Sequence, residues 1–250
     1  MMLSFAGKRV AISGGAIGFG REMAHQFQAL GAEVHVCDIR AEAMQDLSDA
    51  GISTHVVDLC DRQAAAGWID TVSRQGTRAV DVLINNAGGV AGQQGKAIAQ
   101  VSDAEWDSVI DINLNATFTL SRAVAPLMKQ AGQGKIINIS SGAALKASLT
   151  GVQAYCAAKH AVLGLTRQLA HELGPFGINV NAVAPGFVFT NEATKKQWEN
   201  FGDARQQQLL QGIALRRLGS VKDIAHAAIF LASDLSSFIN GQIISVDGGS

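Results

Sequence analysis

The hydrophobic period of this chain changes repeatedly. Short runs rich in valine and isoleucine alternate with longer stretches whose apolar residues recur at helical spacing. Such βαβ alternation calls for parallel strands, because a crossover helix has to carry the chain back before the next strand can begin. A parallel sheet in turn needs helices over both faces. The pattern predicts strands over 9–13, 33–37, 54–58, 80–84, 135–139, 178–183 and 242–246. It predicts helices near 18–30, from 41 onward, and near 61–75, 103–128, 153–173 and 221–233. The expected fold is therefore α/β, a doubly wound domain with a parallel seven-stranded sheet flanked by helices on both faces. At 250 residues and 48% apolar content, one unit spanning 1–250 is long enough to enclose one large core. The least regular stretch, about 187–219, holds Trp198, Phe201 and several charges, and reads as a lid over a site.

Charge narrows the choice of partner. Twenty basic against 21 acidic side chains leave a net charge of −1, which argues against a nucleic-acid or anionic-membrane surface and for a small molecule. No apolar leader precedes the first strand and no run of about 18 apolar residues occurs, so no membrane span is expected. The three cysteines, Cys37, Cys60 and Cys156, have neither metal nor redox spacing. That suits a reducing, cytoplasmic setting and predicts no metal site.

The first strand runs into Ser13-Gly14-Gly15-Ala16-Ile17-Gly18-Phe19-Gly20, directly before a helix. Glycines there permit a tight turn and let main-chain N–H groups approach a pyrophosphate, which the helix N-terminus favours. This is the place of a Rossmann-type dinucleotide site, with Gly14, Ile17, Gly18 and Phe19 along it. Asp38, 18 residues after Gly20 at the end of the second strand, is placed to accept hydrogen bonds from ribose hydroxyls. A carboxylate there would repel a 2′-phosphate.

The one tyrosine, Tyr155, lies four residues before Lys159 in a helical run. That spacing sets phenol and ammonium on one face, roughly 5–6 Å apart at their Cβ atoms. A free phenol titrates near ~10, so a nearby cation is expected to draw it down and make Tyr155 a proton-transfer group. Ser141 ends a strand at the carboxyl edge of the sheet, where its hydroxyl would orient a substrate oxygen. Taken singly, these residues have simpler readings: Ser141 as a turn residue, Asn113 as a polar plug in a helix, Asp58 as the N-cap of the next helix.

Together and in this order, the motifs resemble the short-chain dehydrogenase/reductase family over nearly the whole chain. The glycine turn is similar to that family's TGxxxGxG, with Ser13 in the threonine position. Asn85-Asn86-Ala87-Gly88 matches its NNAG, which implies that the segment braces the sheet and that Asn85, Ala87 and Gly88 line the adenine-ribose side. Asp58-Leu59 corresponds to the position that touches the adenine ring. Pro185-Gly186, Val188 and Thr190 resemble the loop that contacts the nicotinamide carboxamide, and Val246-Asp247-Gly248-Gly249 completes the match. Asn113, Ser141, Tyr155 and Lys159 match the catalytic tetrad. The resemblance implies that Lys159 also binds the nicotinamide ribose and that Asn113 positions a water linking the lysine to solvent. Ser141 to Tyr155 is 14 positions, one more than usual in the family, so the loop 142–152 is expected to be enlarged, with Ser140 as the alternative serine.

Relatives that use the phosphorylated cofactor carry a basic residue before the second motif glycine or directly after the second strand. Here those places hold Ile17 and Asp38-Ile39, so NAD is expected, with Arg40 as the opposing charge. The substrate-facing residues are expected to be Gln93, Lys146, Gln153 and Asn191, which suggests a hydroxylated small molecule such as a polyol, sugar or sugar acid. The reaction expected is interconversion of a secondary alcohol with its ketone or aldehyde. Reduction of a 3-oxoacyl thioester with NADPH, or dinucleotide sensing without catalysis, are the alternatives. The resemblance also implies a homotetramer.

Overall fold

Valine and isoleucine crowd the strand segments because β-branched side chains suit a pleated surface. The structure, a computed structural model, describes residues 3–74 and 79–250 and gathers these segments into one parallel sheet. Among the described residues that sheet has seven strands: β1 (Arg9–Ser13), β2 (Glu33–Asp38), β3 (Ser53–Val56), β4 (Val82–Asn85), β5 (Gly134–Ile139), β6 (Ile178–Pro185) and β7 (Ile243–Val246). Their spatial order is β3-β2-β1-β4-β5-β6-β7, and every pairing is parallel. The order reverses between β1 and β4, so the crevice beyond the carboxyl ends of those strands is where such sheets take ligands.

The helices are α1 (Gly18–Ala29), α2 (Gln45–Asp49), α3 (Arg62–Arg74), α4 (Asp103–Ile110), α5 (Ala116–Ala131), α6 (Gln153–Leu173), α7 (Glu192–Gly212) and α8 (Val221–Ala232). The two-residue period of the strands divides the core in two. Val10, Ile12, Val82 and Ile84 point to α1 and α8, where Met23, Phe27 and Ile224 close the layer. Ala11, Leu83, Ile136 and Val180 point the other way, onto Ile69 of α3, Leu120 of α5 and Leu173 of α6.

Strand limits differ from expectation by one or two residues, and residue 75 of the expected helix 61–75 lies outside the described residues. Two differences have a physical cause. The helix expected over 103–128 is broken by a wide π-type turn, Asp111–Asn115, between α4 and α5. Side chains compete with the helical ladder there: Asn113 Nδ2 donates to Val109 O at 2.8 Å, and Thr117 Oγ1 donates to Asn113 O at 2.8 Å. The stretch expected to be irregular, 187–219, instead contains the 21-residue α7, bent at Gly202 where φ is +69°. None of the side chains of α7 is fully buried, so its apolar signal is weak. What holds it is a ring cluster, Phe187 and Phe189 against Trp198 and Phe201, with centroids 5.6 to 6.3 Å apart.

Candidate active site

At the switch point, β1 turns into α1 through the glycines. Gly14 has φ +69°, and a Cβ there would meet Ala87 Cα at 2.8 Å. A Cβ on Gly20 would lie 2.2 Å from Gly14 O. No larger residue fits either place, and the resulting cradle is bare main chain. α1 then starts without a side-chain cap or an acidic residue in its first turn, which leaves its N–H groups free for an anion. These features fit the pyrophosphate of a dinucleotide.

The cradle is braced by Asn86, whose Nδ2 donates to Ser13 O (3.0 Å) and Gly14 O (2.9 Å). Ser13 Oγ accepts from the N–H groups of Asn86 and Ala87. Asn85, expected at the cofactor, is turned the other way: its amide is buried and bonds Ser121 and Asn138 inside the core. Successive strand residues face opposite sides, so one of the two asparagines had to do so. The alternation is legible in the sequence, but it does not say which of Asn85 and Asn86 faces the cradle.

Asp38 closes the adenosine side. Its carboxylate accepts from Ala16 N (3.2 Å) and Arg40 N (3.1 Å), which locks it beside the turn. Ile39 and Arg40 are exposed. A second basic residue nearby, Arg21, is engaged with Ala16 O, Ala43 O and Asp46. Asp58 is exposed and bonds Cys60 N at 2.9 Å, while the cap of α3 is Asp61, not Asp58. Leu59 is buried in the core, so only its main chain can meet a ligand. Val188 is likewise buried, bridged to Gly219, and Thr190 lies against Gly18. Pro185 ends β6, and Gly186 packs against Asp247 too closely for a Cβ.

α6 carries Tyr155 and Lys159 on one face, with Lys159 Nζ 5.7 Å from the Tyr155 ring centroid. Gly88 admits the lysine, since a Cβ there would stand 3.2 Å from Lys159 Nζ and 2.5 Å from Asn113 Oδ1. Lys159 is buried and donates to Ile139 O at 2.9 Å, and burial lowers its pKa to about 8. The phenol departs from expectation. Burial raises the Tyr155 pKa and the Ser141 hydroxyl offsets part of the rise, with no lowering from Lys159. At this distance, with the ammonium directed at a carbonyl, desolvation outweighs attraction.

Ser141 Oγ accepts from Ala143 N (3.1 Å), whereas Ser140 Oγ is buried and donates to Lys159 O (3.1 Å). Ser140 is thus occupied and Ser141 faces the tyrosine. The Asn113 side chain spans Gly89: its Oδ1 accepts from Gly89 N at 3.0 Å and its Nδ2 donates to Gly89 O at 2.7 Å. Of the expected substrate contacts, Gln153 Nε2 is tied to Lys96 O (2.8 Å) and Asn191 caps α7 through Thr194 N (3.0 Å). Those two amides serve the scaffold. Gln93 is half-buried, and Lys146 is exposed with Ser250 Oγ at 3.5 Å.

A family model described as enoyl-(acyl carrier protein) reductase matches residues 14–250. The 3-oxoacyl-[acyl-carrier-protein] reductase FabG of Chlamydia muridarum is 37% identical over 250 residues, covering 97% of this chain and 96% of that protein. The chain belongs to the short-chain dehydrogenase/reductase family. Two solved structures of this kind superpose along its length. One is a 3-oxoacyl-[acyl-carrier protein] reductase with bound NAD from Brucella melitensis (TM-score 0.84, 32% identity, 98% of this chain and 92% of that one). The other is a candidate NAD(P)-dependent gluconate 5-dehydrogenase from Beutenbergia cavernae with NADP bound at low occupancy (0.87, 34%, 99% and 98%). As a short-chain dehydrogenase/reductase the chain is an oxidoreductase that acts on CH–OH groups with a nicotinamide nucleotide. Among the described residues no helix is long and apolar enough to cross a membrane.

Proposed function

We propose that this protein is an NAD-dependent dehydrogenase that interconverts a secondary alcohol and its ketone, with Tyr155 exchanging the proton. The carrying observation is the arrangement of Tyr155 against Ser141, with Lys159 buried behind them. The dinucleotide supplies the hydride acceptor or donor when bound. Gly14, Ile17, Gly18 and Phe19 would hold its pyrophosphate, Asp38, Ile39, Asp58, Leu59, Ala87 and Gly88 its adenosine end, and Lys159, Pro185, Gly186, Val188 and Thr190 its nicotinamide end. Ser141 orients the substrate oxygen, Tyr155 Oη gives or takes its proton, and Lys159 stands beside the phenol with its Nζ 5.7 Å from the ring centroid. α7 and its flanks, about 187–219, form the lid.

NAD is favoured over NADP because Asp38 is held in place by two main-chain N–H groups and Arg21 is already engaged. NADH is expected to bind at least about tenfold more tightly than NADPH, since like charges brought together cost several kcal/mol. Asp38→Ala should narrow that gap. Dinucleotide fluorescence titration measures both, and a wild type that prefers NADPH overturns the assignment.

For substrate, we propose a hydroxylated small molecule such as a polyol, sugar or sugar acid, a reading that now rests on Gln93 and Lys146 after Gln153 and Asn191 proved committed elsewhere. A 3-oxoacyl thioester reduced with NADPH is the second reading, favoured by the likeness to FabG, and the similar Brucella reductase has NAD bound. Turnover of NAD(H) with both substrate classes decides between them. The assembly we propose is a homotetramer, supported by half-exposed Phe118 on α5 and Phe176 beyond α6. Sedimentation is expected to give four times the 26.1 kDa chain mass, and a monomer would refute the assembly.

A further inference from the structure

β4 and β5 pair in register with Asn85 opposite Asn138, and both amides are buried on the face that α5 and α6 cover. Two amides in a core are costly unless bonded. Asn85 Nδ2 donates to Ser121 Oγ of α5 (3.0 Å) and to Asn138 Oδ1 (2.8 Å). Asn138 Nδ2 donates to Thr166 Oγ1 of α6 (2.9 Å), which donates to Val162 O (2.7 Å). One residue along, Ile139 O accepts from Lys159 Nζ, and one further, Ser140 Oγ donates to Lys159 O. Lys159 and Thr166 are two helical turns apart, hence on one face. α6 is therefore fastened to three successive residues, 138, 139 and 140, and the next, Ser141, faces Tyr155.

This is not the cheapest way to fill the space. Asn85 Oδ1 is buried without a partner, a penalty that an apolar residue would avoid. Directional bonds fix rotation and height where apolar contacts permit sliding. We propose that Thr166, Asn138 and Ser140 are positioning residues for the reaction: they hold α6 at the rotation that sets Tyr155 and Lys159 opposite Ser141. The proposal rests on the function proposed above.

Thr166→Val keeps the shape and removes the hydroxyl, and Thr166→Ser restores it. The probe is NADH oxidation with a panel of ketoses and 3-oxoacyl thioesters, followed together with melting temperature. Thr166→Val is expected to lower kcat by about tenfold or more while KM for NADH stays within about twofold, because small misplacements of reacting groups are costly. Thr166→Ser should regain most of the loss. Ser140→Ala removes the upper rung at little change in volume, so it is expected to show the same split even where Thr166→Val does not fold. Variants that melt earlier yet keep wild-type kcat would show the ladder to be structural only. A wild type that binds NADH but reduces nothing in the panel overturns the proposed function itself, and this proposal with it.

Discussion

Replacing Lys159 by methionine is expected to give a protein that is more stable and inactive. The ammonium is buried against a main-chain carbonyl, and its pKa falls to about 8 from its ordinary 10.5. Keeping it charged at neutral pH therefore costs on the order of 3 kcal/mol, of which a methionine of similar reach recovers the larger part. The sign with pH follows from proton counts. Between about 8 and 10.5 the unfolded lysine holds a proton that the folded one has released, so stability rises with pH across that window. Below it the penalty is fully present. Urea unfolding of the wild type should show this lysine contributing about 1 kcal/mol between about pH 7 and pH 9, and Lys159→Met should lack that contribution. The difference between the two proteins isolates the lysine, because the buried Cys37 thiol, whose pKa burial raises, is common to both. A variant less stable than wild type at neutral pH would contradict the argument. A stabilised variant that also loses turnover would identify Lys159 as a residue kept for chemistry at a cost in folding.

The largest effect on rate is expected from Tyr155→Phe. The substitution removes one oxygen and leaves the ring, so the fold and the dinucleotide affinity should stay within about twofold while kcat drops about 10³-fold, the scale of a lost proton-transfer group. Steady-state turnover and dinucleotide titration on the same preparation separate the two quantities. A dinucleotide sensor without catalysis would tolerate the change. Burial raises the phenol pKa, so Tyr155 is protonated at neutral pH and set to donate to a ketone; oxidation of an alcohol, which needs the phenolate, should accelerate as pH rises. Tyr155 is also the only tyrosine in the chain, so a tyrosinate absorbance titration reads this one group directly.

Much of this architecture can be read before any coordinates. The β-branched runs and the glycine turn specify local geometry that tertiary context has no reason to override, whereas the strand order β3-β2-β1-β4-β5-β6-β7 is set by pairings between distant segments. The Tyr155–Lys159 spacing places both groups on one helical face for the same reason. What was not legible depends on neighbours distant in sequence. α7 has no strong apolar stripe because its anchors, Phe187 and Phe189, lie outside it, although the box of Asn191 and Thr194 was a readable start signal. The direction of the Tyr155 shift turns on how deeply the phenol is enclosed and on Lys159 bonding Ile139 O, neither of which a four-residue spacing reports. Gln153 and Asn191 looked free because their acceptor and donor, Lys96 O and Thr194 N, are main-chain atoms that composition does not reveal.

The helix α7 contributes no fully buried side chain to the molecule, and its attachment is an aromatic cluster plus one amide contact from Gln197 to Leu149 O. Apart from Trp198 and Phe201, which anchor it, the identity of these 21 residues is therefore nearly independent of folding energy. Substitutions along α7 can accumulate, or be installed by design, without drawing on the margin that keeps the sheet folded. With α7 as the lid proposed above, a change of clientele would proceed through that one segment while Tyr155, Lys159 and the glycine cradle stay as they are.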